Sequence, residues 1–238
     1  MDLSVVIPVK NEAENLAPLI AEIHAALDGL VPFEIVYVDD GSTDDSARRL
    51  QTIQAGDPTL RVVRHAKSCG QSTAVRSGVK AAQGRWVATL DGDGQNDPAD
   101  IPALWRLAQA GGPYAIYCGH RTKRRDTAIK RFSSRFANGL RSRLLGDATP
   151  DTGCGLKLFE RATFLDLPYF DHMHRYLPAL VLRAGGTVVS VPVNHRPRER
   201  GKSNYGTLDR ALVGIVDLFG VAWLQRRAKV PTLLDPTV

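Results

Sequence analysis

Several familiar signatures are missing from this chain of 238 residues, and each gap removes a class of function. Cysteine occurs only at 69, 118 and 154, an odd number with no paired metal-ligand spacing. That excludes a disulfide framework and a cysteine-rich zinc site, and it fits a reducing cytoplasm. No Gly-x-Gly-x-x-Gly follows the first apolar run, which argues against a dinucleotide-binding dehydrogenase. Gly201-Lys202-Ser203 looks like the tail of a phosphate loop, but Arg196 stands where that loop needs its first glycine. Phosphates would therefore have to be held by a cation and basic side chains. The apolar run from Ala211 to Leu224 has 14 residues and contains Asp217. It falls short of the roughly 20 needed to cross a bilayer. The chain opens directly on Leu3-Ser4-Val5-Val6-Ile7 with no basic and apolar leader, so no signal peptide is expected.

What is present is an α/β pattern with acids at the strand ends. Apolar runs at Ser4 to Val9, Phe33 to Asp39, Leu60 to Arg64, Trp86 to Leu90, Tyr114 to Gly119 and Thr187 to Val193 read as strands. Between them lie helical patterns. Asn11 with Glu14 three residues on resembles a capping box for a helix carrying Leu16, Leu19, Ile20, Ile23 and Leu27 inward. Ser42 is placed to cap the next helix, with Ala47, Leu50 and Ile53 inward, and Gly70 to Ala82 reads as a third. Asp97-Pro98 starts a fourth, with Ile101, Leu104, Leu107 and Ala108 on one face. Such alternation implies a mainly parallel sheet flanked by helices, with ligands beyond the carboxyl ends of the strands. Asp39, Asp40, Asp91 and Asp93 all fall at that edge. Asp91 and Asp93 sit two apart, so their carboxylates can converge on one hard cation, with Gln95 as a third oxygen. A cation held that way is a docking point for a diphosphate. An ordinary solvated turn is the alternative at this point.

Charge adds a second clue. The formal net charge is +6, and from Arg121 to Arg143 nine basic residues face a single acid, Asp126. That field suits nucleotide phosphates, a lipid phosphate or an anionic membrane surface. Nucleic acid is disfavoured because few aromatic residues are interleaved for base stacking. Ile129 to Leu145 reads as an amphipathic helix with Phe132, Phe136 and Leu140 on one side, a form suited to a membrane interface. Leu208, Leu212, Ile215, Phe219 and Ala222 mark one face of a terminal helix closed by Arg226, Arg227 and Lys229. That face can lie on the cytoplasmic leaflet, pack on the domain or pair with a second copy. Cys154 reads as packing rather than as a nucleophile, and His172 and His174 as structural or acceptor-facing rather than as a metal pair.

Four ordered motifs then carry a resemblance. Val6-Ile7-Pro8-Val9-Lys10-Asn11-Glu12, Val38-Asp39-Asp40-Gly41-Ser42-Thr43-Asp44, Gly70-Gln71-Ser72-Thr73-Ala74 and Asp91-Gly92-Asp93-Gly94-Gln95 resemble family 2 glycosyltransferases. The similarity is strongest to the dolichol-phosphate mannose synthase and bacterial polyprenyl-phosphate glycosyltransferase branch, and it runs from about residue 3 to about residue 206. It implies the GT-A type nucleotide-diphospho-sugar transferase fold, a Rossmann-like α/β domain over 1–206, followed by an amphipathic helix over 207–230 and a tail over 231–238. By resemblance Pro8, Lys10 and Glu12 line the nucleotide pocket, and Val38 and Asp40 contact base and ribose. Asp91, Gly92, Asp93 and Gln95 match the positions for the diphosphate and for a manganese or magnesium ion. The family usually has Asp-Ala-Asp there, so Gly92 lacks one methyl group. Arg121, Arg131 and Ser134 resemble residues that hold donor phosphates and receive the acceptor phosphate. Asp151, in Asp151-Thr152-Gly153-Cys154-Gly155, resembles a residue near the acceptor that acts as base or, more in keeping with an anionic phosphate acceptor, positions it. Arg198 matches the arginine of a mobile loop closing over the donor. There Lys202 replaces the usual Glu and Asn204 the usual Lys, with Lys202 a substitute donor contact.

The expected activity is inverting, metal-dependent transfer of a sugar from a GDP- or UDP-sugar to polyprenyl phosphate. Asp93, Arg121, Arg131, Asp151 and Arg198 would form the catalytic group. A saccharide or lipid hydroxyl in cell-envelope glycan synthesis is the alternative acceptor. The expected location is the inner face of the cytoplasmic membrane, bound peripherally. A homo-oligomer is compatible with this reading, and the chain resembles the short branch members that lack C-terminal membrane helices.

Overall fold

The computed structural model describes residues 1–112, 114–122, 139, 141–198 and 208–229. Seven strands form one sheet: β1 (Leu3–Val9), β2 (Phe33–Asp39), β3 (Leu60–Arg64), β4 (Trp86–Thr89), β5 (Ala115–Arg121), β6 (Lys157–Glu160) and β7 (Thr187–Val193). Their order is β3-β2-β1-β4-β6-β5-β7. β6 alone runs antiparallel to its neighbours β4 and β5; every other pairing is parallel. Strand residues alternate between two cores, as the period of two demands. Val5, Ile7, Ile35 and Tyr37 face one core with α1 (Leu16–Leu27), α2 (Ser46–Gly56) and α4 (Ile101–Ala110). Val6, Val36, Val87 and Phe159 face the other with α3 (Gln71–Ala81), α5 (Arg161–Asp166), α6 (Leu177–Arg183) and α7 (Leu208–Arg226).

This topology decides where a ligand can sit. β1 has β2 on one side and β4 on the other, because the chain winds outward to β3 and then crosses back. The crevice beyond the carboxyl ends of β1 and β4 is therefore a topological switch point. Lys10 to Glu12 leave one side of it and Asp91 to Asp93 the other. The reversed β6 begins at the same edge, so the segment 151–155 that leads into it falls beside the end of β4.

Several local expectations need correction. Asn11 does not cap α1. It lies in the left-handed region at φ 58, and its Oδ1 accepts from the backbone N–H of Thr43 at 2.8 Å and of Asp44 at 3.3 Å. α1 starts later, after Asn15. Ser42 does not cap α2 either, because its Oγ accepts from the Asn11 N–H at 3.0 Å. Both side chains tie the β1–α1 loop to the β2–α2 loop. Leu107 points outward at 44% exposure while Ile101, Leu104 and Ala108 are buried. β5 starts at Ala115, since Tyr114 is left-handed at φ 59. Among the described side chains of α7, Leu218, Val221 and Ala222 are buried, and of the expected face Ile215 and Phe219 are exposed. Of the expected helix from Ile129 to Leu145, residues 141–145 are helical and most of the rest, like the tail 231–238, lies outside the described residues.

α3 approaches the sheet at Gly78, where a Cβ would lie 2.4 Å from Val6 Cγ1 and 3.0 Å from Val38 Cγ2. Alanine gains about 1 kcal/mol of helix propensity over glycine, but overpacking against stiff β-branched side chains costs about 1–3 kcal/mol. The clash wins. Gly78→Ala is expected to destabilise the fold by up to ~2 kcal/mol net, read as a lower urea midpoint with the m-value unchanged.

Candidate active site

A cavity of about 460 Å³ opens at the switch point. Pro8, Lys10, Glu12, Asp40, Asp91, Gly92, Asp93, Gln95 and Arg198 all line it, so nine of the expected site residues converge. Val38 is fully buried and packs toward α3 at Gly78, away from the cavity lining. Arg121 and Asp151 stand just behind the wall, where a Cβ on Gly153 would be 3.4 Å from Arg121 Nη2 and 3.8 Å from Asp151 Oδ1. Arg131, Ser134, Lys202 and Asn204 lie outside the described residues.

The acidic pair is held from several sides. Gln71, at the start of α3, donates Nε2–H to Asp91 Oδ1 at 2.8 Å, and the Asp91 N–H donates to Asn96 Oδ1 at 3.1 Å. Gly155 leaves the space the carboxylate occupies, since a Cβ there would meet Asp91 Oδ2 at 2.3 Å. Gly92 has no room for the family's usual methyl group: a Cβ would lie 2.3 Å from Val9 Cγ1. Burial, and then the neighbouring Asp93, push the Asp91 carboxyl up to about 6 against the pull of Lys157, Arg121 and Gln71. Two carboxylates lining one cavity, one of them resisting ionisation, fit a divalent cation. Among the described residues no third acidic, histidine or cysteine side chain joins them at ligand spacing, which leaves the remaining positions to a diphosphate or water. Gln95 donates its Nε2–H to Arg196 O at 3.3 Å, and its side-chain oxygen remains the expected third ligand.

Arg198 reaches this pair because its segment is pinned. The Arg196 N–H donates to Gln95 O at 3.0 Å, and its guanidinium grips Glu22 at 2.7 and 3.1 Å. From there Arg198 donates to Asp93 Oδ2 at 2.6 Å and to Glu12 Oε1 at 3.2 Å. Burial raises the Glu12 carboxyl, partly offset by the 2.6 Å bond from Asn15 Nδ2 and by Arg198. Asp40, just past β2, is tied to the loop between β3 and α3: it accepts from the N–H groups of Cys69 and Gly70, from Ser68 Oγ and from His65 Nδ1 at 2.7–3.0 Å. Burial opposes its ionisation, yet these donors outweigh it and hold the carboxyl below the usual range.

Asp151 is clamped by Arg121, with Nε at 2.6 Å from Oδ2 and Nη2 at 2.8 Å from Oδ1. That fork engages both carboxylate oxygens in charge-assisted hydrogen bonds. Cys154 is buried, with its thiol pushed up by burial, which matches packing rather than nucleophilic chemistry. His172 and His174 do not form a metal pair: the first meets Asp217 at 3.1 Å and the second Ser72 at 2.7 Å. Gln71, Asn96, Lys157 and Arg196 were given no site role from sequence. Gln71 sits within one of the quoted motifs, the only signal that could have found it.

Comparison with known proteins agrees with this geometry. The model of the family "Glycosyl transferase family 2" matches residues 4–167. A dodecaprenyl-phosphate galacturonate synthase of Rhizobium johnstonii is 32% identical over 231 residues, covering 95% of this chain and 68% of that protein. An undecaprenyl-phosphate 4-deoxy-4-formamido-L-arabinose transferase of Edwardsiella ictaluri is 36% identical over 209 residues, covering 87% of this chain and 63% of that protein. The chain thus spans about two thirds of the length of these relatives. Among solved structures, a mannosyltransferase from Pyrobaculum calidifontis in complex with GDP-Man and Mn2+ superposes with a TM-score of 0.69 at 21% identity, covering 96% of this chain and 65% of that one. Glucosyl-3-phosphoglycerate synthase from Mycobacterium tuberculosis with UDP gives 0.65 at 22% identity, covering 97% and 81%. These likenesses establish the GT-A nucleotide-sugar transferase fold.

The raised Asp91 carboxyl has a consequence for stability. The folded chain holds that proton more tightly than the unfolded chain, so the stabilisation is present in acid and lost as pH rises through about 6. At neutral pH the ionised group costs on the order of 2–3 kcal/mol. Asp91→Asn in metal-free protein is expected to raise Tm by several degrees at pH 7.5, an advantage that shrinks as pH falls toward 4. Added Mn2+ should then raise the Tm of the parent and leave that of the variant unchanged, as scanning calorimetry would show.

Proposed function

The chain belongs to glycosyl transferase family 2, and on that premise we propose that it moves a sugar from a GDP- or UDP-sugar to a polyprenyl phosphate, inverting the anomeric centre. The observation that carries this reading is the Arg121–Asp151 fork. It engages the carboxylate that a hydroxyl acceptor would call on as base, and an acceptor that is already an anion needs none. A hydroxyl acceptor would need one. The lipid-phosphate acceptors in the names of the two relatives above point the same way.

In this reading Pro8, Lys10, Glu12 and Asp40 frame the nucleoside, and Asp91, Asp93 and Gln95 hold a manganese or magnesium ion against the diphosphate. The ion supplies charge neutralisation for the departing diphosphate. Arg198 and Arg121 reinforce it with fixed positive charge in a water-poor cleft, usually the largest catalytic contribution. Arg131 and Ser134 receive the acceptor phosphate and Lys202 closes on the donor. A single in-line displacement then inverts the sugar.

The enzyme works at the inner face of the cytoplasmic membrane. No helix among the described residues is long and apolar enough to span a bilayer. α7 instead turns Ile215, Val216, Phe219 and Trp223 outward at 52–70% exposure and ends in Arg226, Arg227 and Lys229. An apolar face beside a cationic end is the complement of an anionic lipid surface.

A panel of nucleotide sugars with a short-chain polyprenyl phosphate, with and without Mn2+ or Mg2+, tests the reaction. Metal-dependent lipid-linked sugar from one donor is the expected result. Donor hydrolysis without lipid product, or a product retaining the donor's anomeric configuration, would overturn it. Sedimentation with anionic vesicles tests the surface: Phe219→Ala with Trp223→Ala is expected to cut binding tenfold or more. Unchanged binding, or loss of a dimer in its place, would assign the face to protein contact.

A further inference from the structure

The cations around the cavity are not alike. Arg198 is engaged by Glu12 and Asp93. Lys157 is buried and donates Nζ–H to the Cys154 carbonyl. Arg175 also lines the cavity, half-buried, yet among the described residues its guanidinium makes no hydrogen bond or ion pair.

Its placement is built rather than incidental. Arg175 closes a 3-10 turn, Met173–Arg175, entered through His172 at φ 63, and its N–H donates to His172 O at 3.0 Å. Both neighbours are anchored. His174 is fixed to Ser72 through Nδ1 at 2.7 Å and through its N–H at 3.2 Å. Tyr176 donates its hydroxyl hydrogen to Gly214 O at 2.9 Å on α7. Ser72 adjoins Gln71, which holds Asp91. Arg175 therefore stands on the same connected wall as the acidic pair, on a backbone held at both neighbouring residues. A guanidinium stays ionised at any working pH and presents a planar fork of donors, so its complement is a pair of anionic oxygens.

We propose that Arg175 is a specificity residue that grips a second anionic group on a substrate, distinct from the diphosphate. Two sources share that chemistry: the carboxylate of a transferred hexuronic acid and the phosphate of the isoprenyl acceptor. The inference rests on the glycosyltransferase reading above and deepens it.

Calorimetric titration of the full chain with Mn2+ tests it without requiring turnover. The probes are a nucleoside diphosphate, the matching nucleotide hexose and nucleotide hexuronate, and a short-chain isoprenyl phosphate. Arg175→Gln is expected to bind the nucleoside diphosphate within twofold of the parent. It should lose tenfold or more against either the hexuronate, with the hexose unchanged, or the isoprenyl phosphate. The first pattern names the sugar carboxylate and the second the acceptor. Arg175→Lys should recover part of the loss and keep the parent's Tm. The proposal is overturned if Arg175→Gln matches the parent for every probe, if the nucleoside diphosphate weakens by the same factor, or if the parent neither prefers the hexuronate to the hexose nor binds the isoprenyl phosphate. The transfer assay on the parent is read separately: absence of lipid product there defeats the reaction while the titrations still decide Arg175.

Discussion

Burial of Asp91 beside a second carboxylate at the end of one strand is the constraint around which this site is arranged. Asp91 and Asp93 are brought to the edge of β4 where burial already disfavours charge, and Asp91 is the one pushed up to about 6. Everything nearby answers that cost in part. Gln71 supplies a hydrogen bond and Arg198 an ion pair, while Lys157 and Arg121 lend positive field. None of these removes the tension, and a site in that condition has affinity for a divalent cation built into it.

The parallel sheet makes such a cluster possible. Only at the carboxyl ends of β1 and β4 can loops from separate crossovers meet without blocking one another, and here seven segments line the cavity at that edge. Cross-loop bonds then hold them in register. Asn11 and Ser42 lock the first two loops together, and Arg196 pins the late segment to the turn that carries Asp93 and Gln95. The site owes its rigidity to polar contacts between loops, whereas the two apolar cores owe theirs to the alternation of strand residues.

That division explains what was legible beforehand. β3 and β7 have the boundaries that their apolar runs imply, and the acidic residues stand at the edge where the alternation of elements places them. Motif resemblance supplied most of the residues that line the cavity. Asn11 was misread because a capping pattern is local, while its partner Thr43 is 32 positions away. On the terminal helix the period marks the face with Ile215 and Phe219, which is exposed, and gives no sign that Leu218 and Val221 join Ala222 on the core, because the helix is apolar on more than one side. Arg196 with Glu22, separated by 174 positions, left no local trace at all.

Arg198 joins Asp93 to Glu12 across the mouth of the acidic pair. The site thus carries its own counterion, and any metal that takes the Asp93 oxygen now held by that guanidinium does so by exchange. Its measured affinity is a difference between two ion pairs. In the proposed reading the guanidinium that balances the acids before a cation arrives then works beside it, with its charge turned to the diphosphate.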